Sequence, residues 1–135
     1  MGTIPTIKSP SRANRCKSHT INATTPPIIA AFFADVDTRG GGSGLTTYGS
    51  IDFGTRSALC INWRDVGYYQ SHVNKLNSVQ ALLVDRGDID AGDFDIILSY
   101  DKVTWETGDA SGGGNGMNGT PAGAGCASSA WPTPI

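Results

Sequence analysis

Four short apolar runs, each bounded by turn-forming residues, constrain the fold of this chain more than any other feature. They cover residues 28–33, 58–63, 79–84 and 94–100, and β-branched and aromatic side chains are frequent in them. Runs of this length and composition favour strands over helices. Weaker strand signals lie at 45–48 and 103–105, and no stretch has the pattern of a helix of normal length. The sequence therefore predicts an all-β protein.

The architecture expected from these runs is a β-sandwich-like pair of antiparallel sheets with long glycine-rich loops. Two sheets with opposed apolar faces bury a core without any helix. In the last run, Phe94, Ile96, Leu98 and Tyr100 fall on one side of an extended chain, which predicts one face toward the core. The other side carries Asp95, Ile97, Ser99 and Asp101. Eighteen glycines in 135 residues, many at 40–44 and 111–125, supply the loops, and the segment 85–93 has the turn chemistry of a long hairpin.

Composition excludes several classes of partner. Ten basic and twelve acidic residues give a formal net charge of -2, so the chain lacks the positive field that nucleic acid binding requires. No run approaches the roughly 20 apolar residues of a membrane helix, so we expect no membrane insertion. The first 20 residues are basic but lack the apolar core of a secretory signal peptide.

The three cysteines are widely spaced and contain no Cys-x-x-Cys pair, which disfavours a structural zinc site. Cys60 lies within an apolar run, where burial as a small hydrophobic residue is the favoured role. One disulfide together with one free thiol is the arrangement left open, and the pairing of Cys16, Cys60 and Cys126 is not fixed by the sequence.

Several sequence blocks, in the same order, resemble the nidogen-like extracellular domain. The first is PIIAAFFADVDTRG at 27–40, and the last are WETGDASGGGNG at 105–116 and TPAGAG at 120–125. Between them, NWRDVGYY at 62–69 and NKLNSVQ at 74–80 are similar to its central strands. The resemblance extends over about residues 22–125 and is closest to bacterial secreted members.

The resemblance implies a non-enzymatic, extracellular or cell-surface module for adhesion or matrix association, because the family has no characterised catalytic residue. We expect a loosely attached arm at 1–21, a nidogen-like β-domain at 22–126 and a tail at 127–135. The partner would be an extracellular matrix or surface protein or glycan. Nothing in the residues argues for catalysis, since a serine-histidine-aspartate set would have to recruit His19 or His72 without a nucleophile elbow.

Two alternatives remain open at this point. An apolar strand or two normally precedes residue 27 in the related sequences, and none is visible here, so a sheet edge could stay open. The chain would then be a structural subunit that assembles with copies of itself into a surface or extracellular polymer. The second alternative is a calcium-dependent carbohydrate-binding module.

Calcium is the only cofactor that the residues suggest. Asp35 and Asp37 alternate, so an extended chain would place both carboxylates on one side, about 7 Å apart. Calcium needs six to eight oxygens, so loop carbonyls or other carboxylates would have to contribute. The favoured interpretation is structural: one aspartate caps the glycine turn and the other pairs with Arg39 or Arg56. Asp88 and Asp90 have the spacing that begins a calcium loop, but a solvated acidic loop is favoured there.

The candidate partner surface combines charged, aromatic and amide side chains from the loops. Aromatic faces pack on apolar sugar or protein surfaces, while charged and amide groups fix orientation. For the aromatic residue in this set, core packing is the favoured alternative. The candidate residues are Arg39, Asp85, Arg86, Trp105 and Asn115.

Overall fold

The structure, a computed structural model, describes residues 28–127 of the chain. The predicted arm at 1–21 and residues 128–135 of the predicted tail lie outside the described residues. The part described contains seven strands and a short 3-10 turn at Asp109–Ser111. The strands are β1 (Ile28–Phe33), β2 (Val36–Asp37), β3 (Thr46–Phe53), β4 (Arg56–Tyr68), β5 (His72–Asp85), β6 (Phe94–Lys102) and β7 (Gly123–Ala127).

The strands form two antiparallel sheets, which confirms the all-β, sandwich-like prediction. The larger sheet has the order β2-β4-β5-β6, with β3 also paired to β4. β3 occupies the first half of β4, from Phe53↔Arg56 to Thr46↔Trp63, whereas β2 pairs with the far end of β4. β1 and β7 form a separate two-stranded sheet. Within residues 28–127 there is no helix long and apolar enough to cross a membrane.

All four main strand predictions are confirmed, and the weaker one at 45–48 falls in β3, apart from its first residue. The central strands are much longer than their apolar cores, because β4 and β5 continue into polar sequence toward residues 68 and 72. The weaker prediction at 103–105 is wrong. There the Asn77 side chain accepts hydrogen bonds from the backbone N–H groups of Thr104 and Trp105. These N–H groups are therefore satisfied by a side chain and not by the backbone of a neighbouring strand.

The larger sheet packs apolar residues on both of its faces. On one face, Cys60, Leu82 and Val84 form a buried cluster against which Ile97 packs. The opposite face carries a second buried cluster, formed by Ala31, Val79 and Ala81, with Leu98 packed against it. Since neighbouring residues of a strand point to opposite faces, Ile97 and Leu98 show that β6 contributes to both. The expectation of one core face for this strand is therefore too simple.

The small sheet lies over the second of these faces. Ala31 of β1 belongs to the cluster of Val79 and Ala81, and the Tyr100 hydroxyl of β6 donates a 2.7 Å hydrogen bond to the Ala31 carbonyl. Burial raises the pKa of that tyrosine. This contact fixes the position of β1, whose last residues lead directly to the aspartates of the first sequence motif.

Two of the three cysteines lie within the described residues, one as a free thiol and one in a disulfide. Cys60 is a free thiol with 1% of its surface exposed, which confirms its role as a buried residue. Cys126 on β7 is bonded in a disulfide.

Candidate functional site

Three segments that are distant in sequence meet at one end of the molecule. They are residues 35–40 after β1, the turn at 69–72 between β4 and β5, and the glycine-rich loop at 105–116, and we call them together the motif end. Hydrogen bonds over 34 and 76 residues of sequence join them. The first and last of the sequence motifs therefore form one structural unit.

Asp35 joins the first segment to the third. Its carboxylate accepts a 2.7 Å hydrogen bond from the Ser111 backbone N–H, and its carbonyl accepts one of 2.9 Å from the N–H of Tyr69. Gly108 makes this approach feasible, because a Cβ at that position would lie only 2.5 Å from the Cβ of Asp35 and 3.1 Å from that of Tyr69. The chain bends at Ala34, so Asp35 and Asp37 do not lie on one continuous strand as the sequence suggested.

Asp37 joins the first segment to the second. One carboxylate oxygen accepts bonds from the backbone N–H and the Nε of Arg39, both at 2.9 Å. The other accepts from Arg39 Nη2 at 2.6 Å and from the Ser71 N–H at 3.0 Å. These donors, Arg39 first among them, hold the pKa of Asp37 well below its usual range. The structural interpretation, in which an aspartate pairs with Arg39, is confirmed.

Trp105 is the centre of the core beneath the motif end. Only 1% of its surface is exposed, and it packs edge-on against Phe32 and obliquely against Tyr68. Its indole N–H donates to the Val66 carbonyl at 3.1 Å. The prediction that placed Trp105 on a partner surface is wrong, and the core-packing alternative is confirmed. Gly116, at φ +81, allows the loop to close over it, since a Cβ there would lie 2.7 Å from that of Trp105.

The exposed surface of the motif end is polar and aromatic. The Arg39 guanidinium lies 5.9 Å from the centre of the Tyr69 ring, with its side chain 70% exposed. His72 Nε2 is 3.1 Å from an Asp109 carboxylate oxygen, which ties the β4–β5 turn to the 3-10 turn. On the same surface, Asn115 accepts hydrogen bonds from two side chains of β5, those of Asn74 and Lys75.

The second group of predicted residues lies in the β5–β6 connection, which we call the acidic hairpin, residues 85–95. Arg86 binds the Asp88 carboxylate through Nε at 2.9 Å and reaches Asp95 through Nη1 at 3.0 Å. These bonds raise the pKa of Arg86 and lower that of Asp88. Asp85 and Asp90 accept backbone hydrogen bonds within the loop. The long hairpin is confirmed. The bonds of Arg86, Asp85 and Asp90 are local, and Asp95 also receives a long contact of 3.5 Å from Arg56 Nη1, 39 residues earlier in the chain.

The proposed metal ligands thus fall into two separate sets, with Asp35 and Asp37 at the motif end and Asp88 and Asp90 in the acidic hairpin. Among residues 28–127 no group of three or more histidine, cysteine, aspartate or glutamate side chains is placed to hold a metal ion. Both oxygens of Asp37 already accept protein hydrogen bonds. A calcium ion at Asp37 would have to displace Arg39, whereas Asp88 has an exposed carboxylate.

Sequence reasoning missed three residues that organise the motif end. Asn77 has no exposed surface, and its amide binds the Trp105 carbonyl as well as the backbone N–H groups already described. Ser71 was missed because it contributes only a backbone N–H, and His72 was missed because it follows other polar residues and does not stand out in the sequence. A buried asparagine in mid-strand is the one signal that could have been noticed, because buried polar side chains are normally satisfied by specific partners.

A comparison with protein-family models matches residues 45–130 to the nidogen-like domain. The matched segment holds strands β3 to β7 and the loop at 105–116, and it begins after the motif at 27–40. No curated protein and no solved structure matches the chain. Because the match covers more than half of its residues, the chain belongs to the nidogen-like domain family, a family of extracellular-type, non-catalytic modules.

Proposed function

We propose that this domain is a non-enzymatic module for extracellular adhesion or matrix association, and that the motif end is its binding surface. One observation carries the proposal: long-range hydrogen bonds to Asp35 and Asp37 connect three loops, and the Arg39–Tyr69 pair is exposed on their surface. Binding surfaces gain affinity when their loops are ordered before the partner arrives, because less conformational entropy is then lost.

The side chains at this surface suit a protein partner. Arginine and tyrosine are enriched among the residues that contribute most to protein interfaces. Arg39 and Tyr69 present such a pair, and the Asn74–Asn115 hydrogen bond adds side-chain amides to the motif end. The net charge of -2 makes long-range electrostatic capture a minor contribution. The partner is therefore a matrix or surface protein recognised through direct contacts, with a glycan as the alternative ligand.

Two observations support an extracellular location. The family is of extracellular type. The disulfide at Cys126 fits an oxidising compartment, where disulfides form and persist.

The test is binding of the purified domain to immobilised extracellular matrix proteins and, separately, to a glycan array. We expect saturable binding to a matrix protein, weakened at least about tenfold by Tyr69→Ala, as for a central interface residue. The matched control is Ile89→Ala, an exposed apolar residue of the acidic hairpin. Binding to neither surface would contradict the adhesion role. Equal weakening by both variants would remove the motif end as the binding surface, and binding to glycans alone would replace the protein partner.

A further inference from the structure

Strand β3 forms an open edge of the larger sheet. Among the described residues it pairs with β4 and with no other strand. Residues 46–50 are all exposed, and Tyr48 is the most exposed large hydrophobic residue within 28–127, at 82%. A strand in this position presents one row of unpaired backbone groups to solvent.

The hairpin that joins β3 to β4 determines which backbone groups point outward. The turn has two residues, with Gly54 at φ +67 in its first position, and Phe53↔Arg56 closes it. In a two-residue hairpin the closing pair is hydrogen-bonded, and bonded and non-bonded pairs then alternate along the strands. The N–H and C=O groups of Thr46, Tyr48, Ser50 and Asp52 therefore face away from β4.

The edge of β3 lacks the protection seen at the opposite edge of the sheet. β6 carries Asp95, Asp101 and Lys102, and charged side chains of this kind discourage pairing with another chain. β3 is eight residues long, contains no proline, lysine or arginine, and has Asp52 as its one charged residue. Pairing at β3 therefore meets little electrostatic opposition.

The side chains of β3 are complementary to a second copy of the same strand. Tyr48 and Ser50 lie on the same face as Leu59, which is directly across from Ser50 and 40% exposed. Ser50 is small and lies between Leu59 and the edge, so it covers little of the exposed Leu59 side chain. If an antiparallel strand places its own Tyr48 opposite Ser50, the tyrosine ring covers Ser50 and reaches toward Leu59.

We propose that β3 is a self-association edge, at which two copies of this chain pair antiparallel with Gly49 opposite Gly49 of the second copy. Tyr48 of each copy then lies opposite Ser50 of the other, and Asp52 lies opposite Thr46, so no like charges face each other. The two larger sheets become one continuous sheet across a two-fold axis. This pairing does not depend on the binding role proposed for the motif end, because the β3 edge contains none of the residues of the motif end.

A single strand pair gives a weak dimer. Interfaces of this kind fall at the low end of the size range, below about 1,200 Å² of total buried surface. We expect a dissociation constant on the order of 100 μM. Such an affinity leaves the dilute protein monomeric and allows assembly where the chain is concentrated on a surface.

Sedimentation equilibrium over a range of protein concentrations tests the dimer. We expect Tyr48→Lys to raise the dissociation constant at least about tenfold, since it removes the ring and places two cations near the axis. Ile89→Lys is the matched control, because it also introduces a lysine in place of an exposed hydrophobic residue, here one that is 63% exposed in the acidic hairpin. Its dissociation constant should stay within about twofold of that of the parent. A parent chain that remains monomeric up to roughly 1 mM, ten times the expected constant, overturns the proposal. So does equal weakening by both variants.

Cross-linking tests the register and does not rely on loss of binding. A mixture of Tyr48→Cys and Ser50→Cys chains should form a disulfide-linked heterodimer under mild oxidation, because directly opposite residues bring their Cβ atoms within about 5.5 Å. Each variant alone should form much less. The partners of these two positions on β4 are Ile61 and Leu59, so neither new thiol has Cys60 directly across from it. Cross-linking that is equally efficient for single variants and mixture contradicts this pairing.

Discussion

Two regions of the described chain, the motif end and the acidic hairpin, are both rich in side-chain hydrogen bonds, but they are built in different ways. At the motif end, buried or half-buried side chains connect segments 34 and 76 residues apart. In the acidic hairpin, Arg86 connects carboxylates two and nine residues away, and most of the loop is exposed. Similar chemical groups can therefore stabilise the tertiary fold or only the local structure of a turn. The difference depends on whether their hydrogen-bond partners are distant or close in the sequence. Four substitution pairs or conditions test that contrast, from the largest expected effect to the smallest.

The largest difference should come from the apolar residues of the two ends. Trp105→Ala removes a fully buried ring that contacts Phe32 and Tyr68, and we expect it to lower the free energy of unfolding by about 4 kcal/mol. Ile89→Ala in the acidic hairpin should change it by less than about 0.5 kcal/mol, because the side chain is exposed. Urea unfolding followed by circular dichroism measures both. Similar losses would show that the two ends do not differ in packing.

A matched glycine pair tests how closely the segments approach. In Gly108→Ala the new methyl group would meet the Cβ of Asp35 at 2.5 Å, so the loop must shift, at a cost of about 2 kcal/mol. In Gly87→Ala the nearest atom, an Asp85 carboxylate oxygen, is 3.4 Å away. That substitution should be neutral or should stabilise the chain slightly, by about 0.4–1 kcal/mol, through the unfolded state. A neutral result for Gly108→Ala would mean that the loop accommodates a methyl group without losing its contact with Asp35.

The aspartates allow a comparison by pH. The folded-state pKa of Asp37 is lowered, so its stabilising contribution is fully present above the unfolded-state value of about 3.9 and is lost as pH falls below it toward the folded-state pKa. Asp37→Asn should therefore destabilise the chain at pH 7 and by a smaller amount at pH 2.5, where the contribution of the Asp37 charge is partly lost. Asp88→Asn should change little at either pH, because this carboxylate is 56% exposed and its pairing is weakened by solvent.

Thermal unfolding at several pH values measures this effect. We expect the gap between the parent and Asp37→Asn midpoints to narrow progressively as pH falls below about 4. A constant gap between them from pH 7 to pH 2.5 would mean that the substitution acts through packing and not through the charge of Asp37.

The smallest effect concerns calcium, which remains a proposal for either end. Extracellular calcium sites commonly bind with millimolar constants, and an ion present at its dissociation constant stabilises the folded state by about 0.4 kcal/mol. Any shift in the melting midpoint between calcium and chelator should be lost in Asp88→Asn and kept in Asp37→Asn, because Arg39 occupies the Asp37 carboxylate. The opposite pattern would place an ion at the motif end and reverse the contrast between the ends.

The sequence predicted the fold well because strand formation in this chain depends on local composition. The apolar runs at 28–33 and 94–100 are strands in the structure, and the hairpin between β5 and β6 lies where turn residues cluster. The prediction for 103–105 failed because a single distant side chain, Asn77, satisfies the backbone there. Periodicity and composition carry no information about such a contact.

The candidate site was only partly predictable, for a related reason. Its motif residues were identified, and the pairing of Asp37 with Arg39 follows from their spacing of two residues. What joins the segments is mostly backbone N–H groups, such as those of Ser71 and Ser111, which every residue except proline has. The roles of Asp35 and His72 therefore became visible only when the three segments were placed together.

The accessibility of the buried Cys60 thiol provides a measure of how often the larger sheet opens. Cys60 lies between Gly49 on β3 and Leu82 on β5, and 1% of its surface is exposed, so an alkylating reagent reaches it only when these strands separate. In an oxidising compartment the same burial keeps the thiol from forming unwanted disulfides while the domain stays folded. The rate at which Cys60 is alkylated under native conditions then measures the free energy of local opening at this one residue, and no probe residue has to be introduced.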